Sequence, residues 1–236
     1  MKKAAIGLVA LGLIMAGLFQ LSKSRSFQFF GEIVDRVETQ EKLVALTFDD
    51  GPVPGAADAI IARLAQEQVP ATFFLTGREI ELHPAEVKKL IAAGHQIANH
   101  SYSHSRMVFM SYAAVEQEIS ATNKLIRGLG YDKEILFRPP YGKKLFMLPI
   151  YLQQENITTI TWDVEPESFP EISSSSEAIT EHVIAEVEPG SIILLHVMFP
   201  SRQASMDAVP SIIRGLKQKG YKFVTVDEIL ASSIKH

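Results

Sequence analysis

Two adjacent aspartates, Asp49 and Asp50, end an apolar run in the stretch LTFDDGP at 46–52. Like charges side by side repel unless something positive sits beside them. The pair therefore marks either a solvated turn or a site that holds a cation. His100 and His104, in NHSYSH, stand four residues apart. On a helical turn both rings face one way and can grip one metal ion. With one carboxylate of the aspartate pair they form a two-histidine, one-carboxylate set, which leaves positions open for water and substrate as catalytic metal sites require. The second aspartate is then free to act as a base toward the activated water. Arg138, at the head of RPPYG, is placed to hold that base ionised and oriented. His196 closes ILLH, and Leu194, two residues earlier on an extended run, points to the same side. An imidazole beside an apolar contact suits a leaving-group acid next to a small acyl pocket.

The elements that must position these groups alternate. Runs rich in Val, Ile, Phe and Thr predict seven strands, at 43–48, 71–75, 95–99, 135–138, 158–162, 191–196 and 222–226. Helical periodicity fills the gaps. Ile60, Ile61, Leu64 and Ala65 line one face; Val87, Leu90 and Ile91 another, between Pro84 and Gly94; Val115, Ile119, Thr122 and Ile126 a third. A fourth helix ends on Gly220, and weaker patterns cover 143–154 and 174–188. Strands alternating with helices predict a parallel sheet with helices outside, either closed into a barrel or open and doubly wound. No Gly-rich phosphate loop follows the first strand, so the dinucleotide reading lacks its signature. The polar motifs fall where strands end: DD, NHSYSH, RPPYG, WDVEPESF and ILLH. In parallel α/β folds those ends share one face. Taken singly, each motif is a turn, a pair of surface histidines or a stiff extended segment; together they converge on one mouth.

Composition narrows the function classes. The chain has 236 residues, 47% of them apolar, so a large core is available. A net charge of −4 without a Lys/Arg run argues against a nucleic-acid partner. Cysteine is absent, which removes disulfides and thiolate metal sites. Lys2 and Lys3 precede an uncharged stretch at 4–21, and SKSRS follows. This pattern predicts a signal peptide or membrane anchor at 1–22 and a linker at 23–40, hence an extracytoplasmic protein that is tethered or secreted.

TFDDGP, HSYSH, RPPYG and ILLH, in this order, resemble the polysaccharide deacetylases that carry the NodB homology domain, carbohydrate esterase family 4. The resemblance covers roughly 41–232. It implies a distorted (β/α) barrel of seven strands, parallel with outer helices. It implies Asp49 as general base, Asp50 with His100 and His104 as ligands to one divalent ion, zinc foremost, and Arg138 as the group that positions Asp49. The Tyr141 N–H would help hold the oxyanion, Leu194 would line the acetyl pocket, and His196 would be the general acid. Trp162 and Phe169 would wall the site. The reaction implied is removal of N-acetyl, or O-acetyl, groups from a cell-wall or chitin-type polysaccharide. An acetylxylan-type esterase and a catalytically silent carbohydrate-binding envelope protein are the alternatives. One motif departs from the family: where Asp-x-x-Asp-Trp is common, this chain reads Glu165, Pro166, Glu167, Ser168, Phe169. Ser168 cannot replace a carboxylate. The support that keeps His196 protonated is then expected to be missing unless Glu165 or Glu167 leans in.

Overall fold

The computed structural model describes residues 2–233. In chain order the strands are β1 (Ile33–Val34), β2 (Leu43–Asp49), β3 (Thr72–Leu75), β4 (Gln96–Asn99), β5 (Thr159–Ile160), β6 (Ile192–His196) and β7 (Lys222–Val224). The helices are α1 (Lys2–Leu21), α2 (Ala56–Glu67), α3 (Gly77–Leu82), α4 (Pro84–Ala92), α5 (Tyr112–Gly128), α6 (Met147–Gln154), α7 (Ser176–Glu186), α8 (Gln203–Gln218) and α9 (Val226–Ala231).

All the strand pairs are parallel, and β2 is the central member. It pairs with β6 on one side and with β3 and β7 on the other, and β4 follows β3. Every residue of β2 is buried, which explains its continuous apolar run: a parallel strand covered on both faces has no polar face to alternate with. The ring closes through single bridges. Phe137 pairs with Asn99 on one side and Thr159 on the other, and Val164 pairs with Ile193. The result is the distorted β/α barrel. The strand predicted at 135–138 survives only as these bridges, because Pro139 and Pro140 follow and carry no N–H with which to extend a ladder.

The helices pack outside with local signals intact. Ser111 and Ser175 cap α5 and α7 by accepting from Ala114 N (3.3 Å) and Ala178 N (3.2 Å), each removing one unpaired donor from a helix start. Thr225 and Glu228 form a capping box on α9. The main core lies between the strands and α2, α4, α7 and α8, from Val44, Leu46 and Phe48 out to Ile60, Leu90, Val183 and Ile212.

The stretch at 23–40, read as a linker, is built into the barrel. It carries β1, which pairs with β5, and Val37 N donates to Gly190 O (3.0 Å). Gly190 has φ +86° and lies so close to Val37 that a Cβ would sit 1.8 Å from its carbonyl oxygen, so only glycine fits. The apolar stretch at 4–21 forms α1, which exposes Leu11, Leu13, Ile14 and Met15; the side chains of residues 4–6, 8 and 9 lie outside the described residues. Among the described residues no helix is long and apolar enough to cross a membrane.

Candidate active site

The register of β2 against β6 places Thr47 beside Leu194 and Asp49 beside His196. Two titratable groups therefore stand at adjoining strand ends because both strands stop at the same level. Asp49 is buried and answered by Arg138, whose Nη1 donates to Asp49 Oδ1 (2.6 Å) and to Thr47 Oγ1 (2.8 Å), while Nη2 donates to Thr161 O (2.9 Å). Burial lowers the Arg138 pKa, and the charge and hydrogen bond of Asp49 oppose that shift. The guanidinium lies over the Phe74 ring at 3.9 Å. This is a buried, multiply bonded ion pair, in which neither charge is left alone.

Asp50, His100 and His104 offer ligand atoms that all lie within 4.8 Å of one another. His104 Nε2 is 3.3 Å from Asp50 Oδ1 and His100 Nε2 is 4.0 Å from it. Two ligands at zinc's roughly 2.0–2.1 Å bond length, set tetrahedrally, lie about 3.3 Å apart, so the set fits a metal once His100 closes by about 0.7 Å on Asp50. His100 is prepared for this role. Burial pushes its pKa down to about 3, which keeps it neutral. Its Nδ1 meets the Arg138 carbonyl at 2.8 Å; with the proton there, Nε2 is left as the electron-pair donor.

The two histidines meet through a loop, not the helical turn expected from their spacing. Ser101 (φ 66°) and His104 (φ 57°) are left-handed. Glu118 on α5 holds the loop by accepting from Tyr102 N (2.9 Å), Ser103 N (2.8 Å) and Ser103 Oγ (2.7 Å). Asp50 (φ 73°) and Tyr141 (φ 60°) are left-handed as well. Among the described residues, four of the six non-glycine residues with this conformation thus surround the site, where strain is held by the surroundings.

His196 has its own partner. Its Nδ1 hydrogen-bonds the Glu167 carboxylate, and its N–H donates to Glu167 Oε1 (3.1 Å); Ser205 from α8 donates to the same carboxylate. Burial disfavours the imidazolium, but the bond and charge of Glu167, with Asp49 and Asp50 behind, outweigh it and raise the pKa to about 9. Glu167 is shifted down in turn, the His196 and Ser205 bonds overcoming its own burial.

These groups open into a cleft of about 440 Å³ lined by Asp49, Asp50, His100, His104, Leu194 and His196, among others. Larger clefts of about 630 and 760 Å³ lie away from these strand ends, around Tyr221–Val224 and around Val34–Glu38, and hold no such convergence.

The sequence profile of the polysaccharide deacetylases matches residues 36–153. A peptidoglycan-N-acetylglucosamine deacetylase of Bacillus cereus is 36% identical over 80% of this chain and 69% of its own length. The chain belongs to the polysaccharide deacetylase family. A crystal structure of a peptidoglycan N-acetylglucosamine deacetylase bound to an aryl N-hydroxybenzamide superposes with a TM-score of 0.78 at 33% identity, over 86% of this chain and 94% of that one. A pseudoenzyme of carbohydrate esterase family 4 from Bacillus anthracis gives 0.75 at 25% identity, over 87% and 70%.

Within this deacetylase fold most of the residues picked from the sequence meet in one cleft: Asp49, Asp50, His100, His104, Tyr141, Trp162, Glu165, Ser168, Leu194 and His196 line it, and Arg138 stands behind Asp49. Phe169 does not; its ring is half-exposed and packs on His182 at 5.1 Å. The expected tuning groups also need correction. Glu165 accepts from Arg25 (2.6 Å), Trp162 Nε1 (2.9 Å) and Ser168 (2.6 Å) and makes no bond to His196. Glu167 takes that place, so His196 has a carboxylate partner despite Ser168. Sequence reasoning missed Glu118, Ser205, Lys23 and Arg25, which come from stretches without motif character.

Proposed function

We propose that this protein hydrolyses N-acetyl groups on a cell-wall or chitin-type polysaccharide, using one divalent ion, zinc foremost, held by Asp50, His100 and His104. When bound, the ion supplies Lewis acidity to the acetyl carbonyl and to the attacking water. Asp49 takes the water's proton as the oxygen attacks the acetyl carbon, and Arg138 fixes the orientation of that carboxylate. Tyr141 lines the cleft, and its N–H serves as the oxyanion donor. Leu194 receives the acetyl methyl group. His196, protonated at neutral pH because Glu167 raises its pKa to about 9, gives its proton to the departing amine nitrogen. The products are acetate and a free amino sugar.

The observation that carries this reading is the pairing of Asp49 and His196 across the β2–β6 register, with the three-ligand set beside them. A base and an acid on adjoining strands, with opposite charge partners, are what amide hydrolysis requires. The complete set argues against the silent envelope-protein reading. An acetylxylan-type esterase would use the same groups, though an alkoxide leaving group depends less on the acid. Residues 41–232 are the proposed catalytic domain, with 23–40 packed into its barrel and against its cleft. Residues 1–22, with an apolar stretch at 4–21, support export, as a cleaved signal or as a membrane tether.

The test is acetate release from N-acetylglucosamine oligomers and from acetylxylan, with and without chelator. Release from the oligomers that chelator abolishes and added zinc restores is the expected result. No release from any metal-loaded sample would overturn the reading.

A further inference from the structure

The rim of the catalytic cleft is cationic in a chain whose net charge is −4. Lys23, Arg25, Lys143 and Arg202 all line it, and a fifth cation, Arg106, lies over the exposed Tyr141 ring at 4.7 Å. Their partners divide them. Arg25 is committed to Glu165 at 2.6 Å and stacks on Trp162 at 4.9 Å. Among the described residues, Lys23, Lys143 and Arg202 make no ion pair. Lys23 and Lys143 instead flank one ring, with Nζ 3.9 Å and 5.4 Å from the centre of Phe19. Holding uncompensated like charges around one opening costs electrostatic energy, and a ligand of opposite sign offsets it.

These cations are also held in place. Lys23 and Arg25 belong to the strap at 22–25, which is tied down by three contacts. Lys144 N donates to Ser22 O (3.0 Å), the buried Lys144 ammonium donates to Ser24 O, and Thr161 Oγ1 donates to Arg25 O. Lys143 follows Tyr141 and Gly142 in the cleft lining, and Arg202 enters from the turn that precedes α8. Three chain segments therefore bring unpaired positive charge to one mouth.

We propose that Lys23, Lys143 and Arg202 select a glycan bearing an anionic substituent, carboxylate or phosphate, close to the N-acetyl group that is removed. This rests on the deacetylase reading above and adds the substrate's charge to it. The neutral sugar ring is held at the reacting centre, and the rim reads the anion on its neighbour. Such contacts act partly by steering, so they carry a strong dependence on ionic strength.

The experiment compares kcat/KM, for the metal-loaded full chain, on four tetrasaccharides: a neutral N-acetylglucosamine oligomer, the same oligomer carrying 3-O-carboxyalkyl ethers, its carboxamide derivative, and a 6-O-phosphorylated form. Wild type is expected to favour at least one acidic form over its neutral counterpart by about tenfold, and that preference should shrink as salt is added. The triple variant Lys23→Gln, Lys143→Gln, Arg202→Gln should lose most of the preference. Which acidic form responds identifies the anion. Equal kcat/KM on all four substrates in wild type, or an unchanged preference in a variant that retains its metal, would overturn the inference alone. No turnover of any of the four would overturn the deacetylase reading beneath it.

Discussion

The Nδ1 of His196 is bonded to the carboxylate of Glu167, although Glu167 lies 29 residues earlier on a short helical turn. That contact decides the protonation state of the proposed general acid. With its pKa raised to about 9, His196 is charged throughout the neutral range, and the alkaline limb of kcat should fall near pH 9. Glu167→Gln removes the charge and leaves the burial that opposes the imidazolium, so the limb should move to about pH 6.5 or below. Ser168→Asp should leave it in place. The contact is also a stability statement. A histidine raised from 6.5 contributes fully below that pH and loses the contribution as pH climbs through about 9. A carboxylate lowered from 4.5 contributes above that value and loses it under acid. Urea unfolding of wild type should therefore show a plateau between about 4.5 and 6.5 that Glu167→Gln flattens.

The two aspartates of the opening motif should fail differently. Asp49→Asn removes the base but none of the three ligands, so bound metal should persist while turnover falls about 10²-fold or more. Asp50→Asn should weaken metal binding first, and excess zinc should restore part of its rate. His100→Ala together with His104→Ala should abolish metal content, which in wild type is expected at about one ion per chain. Elemental analysis after dialysis, paired with acetate release, separates these cases. Equal metal loss in both Asn variants would make the aspartates joint ligands and leave Asp49 without its role as base.

Arg138 is fully buried, and among the described residues its ion pair is with Asp49. Removing one member of such a pair strands the other, at a cost of about 3–5 kcal/mol. Arg138→Met should therefore lower the unfolding midpoint sharply and abolish activity. In the double variant with Asp49→Asn, the buried carboxylate is gone and much of the stability should return while the activity does not. Thermal unfolding of the four chains in the cycle measures the coupling. Strict additivity would mean that the pair does not act as a unit.

What the sequence made legible followed from residues whose chemistry is local. The strand that carries Asp49 could be read because both of its faces are buried and it opens on the apolar run Leu43–Leu46. The candidate ligand set could be read because Asp50, His100 and His104 sit in short motifs at strand ends. The barrel's closure was less visible: at 135–138 the composition predicts a strand, yet Pro139 and Pro140 restrict it to single bridges. Glu167 was one of two candidates because choosing between Glu165 and Glu167 depends on where a three-residue turn aims them and on Ser205, which arrives from α8. Residues 23–25 read as linker, and Ser22 as the end of the leader, because they are polar, lack periodicity and follow an apolar run. Their role is set by Lys144 and Thr161, more than a hundred residues away, and no local pattern encodes a contact of that range.

Lys144 gives the last test, because it fastens that strap from below. Burial lowers its pKa to about 8, and its ammonium donates to the carbonyls of Ser24 and Gly142. Lys144→Met keeps the length and apolar bulk of the side chain and removes both donors. Two opposing effects then act on global stability. Each buried carbonyl left without its bond costs about 1–3 kcal/mol, while the protein no longer has to bury a charge. The unfolding midpoint should therefore shift little. The backbone bond from residue 144 to Ser22 O remains, but the Ser24 anchor is lost, and Arg25 keeps its side-chain pair with Glu165, its stacking on Trp162 and the bond from Thr161. Amide exchange at 22–26 should speed up several-fold while the protection of β2 and β6 stays as in wild type. KM for a polysaccharide substrate should rise as the cleft wall loosens, with kcat changing less, since Asp49, Arg138 and His196 are untouched. Hydrogen exchange read by mass spectrometry, alongside kcat and KM, measures both. Unchanged protection of the strap would show that Lys144 does not hold it.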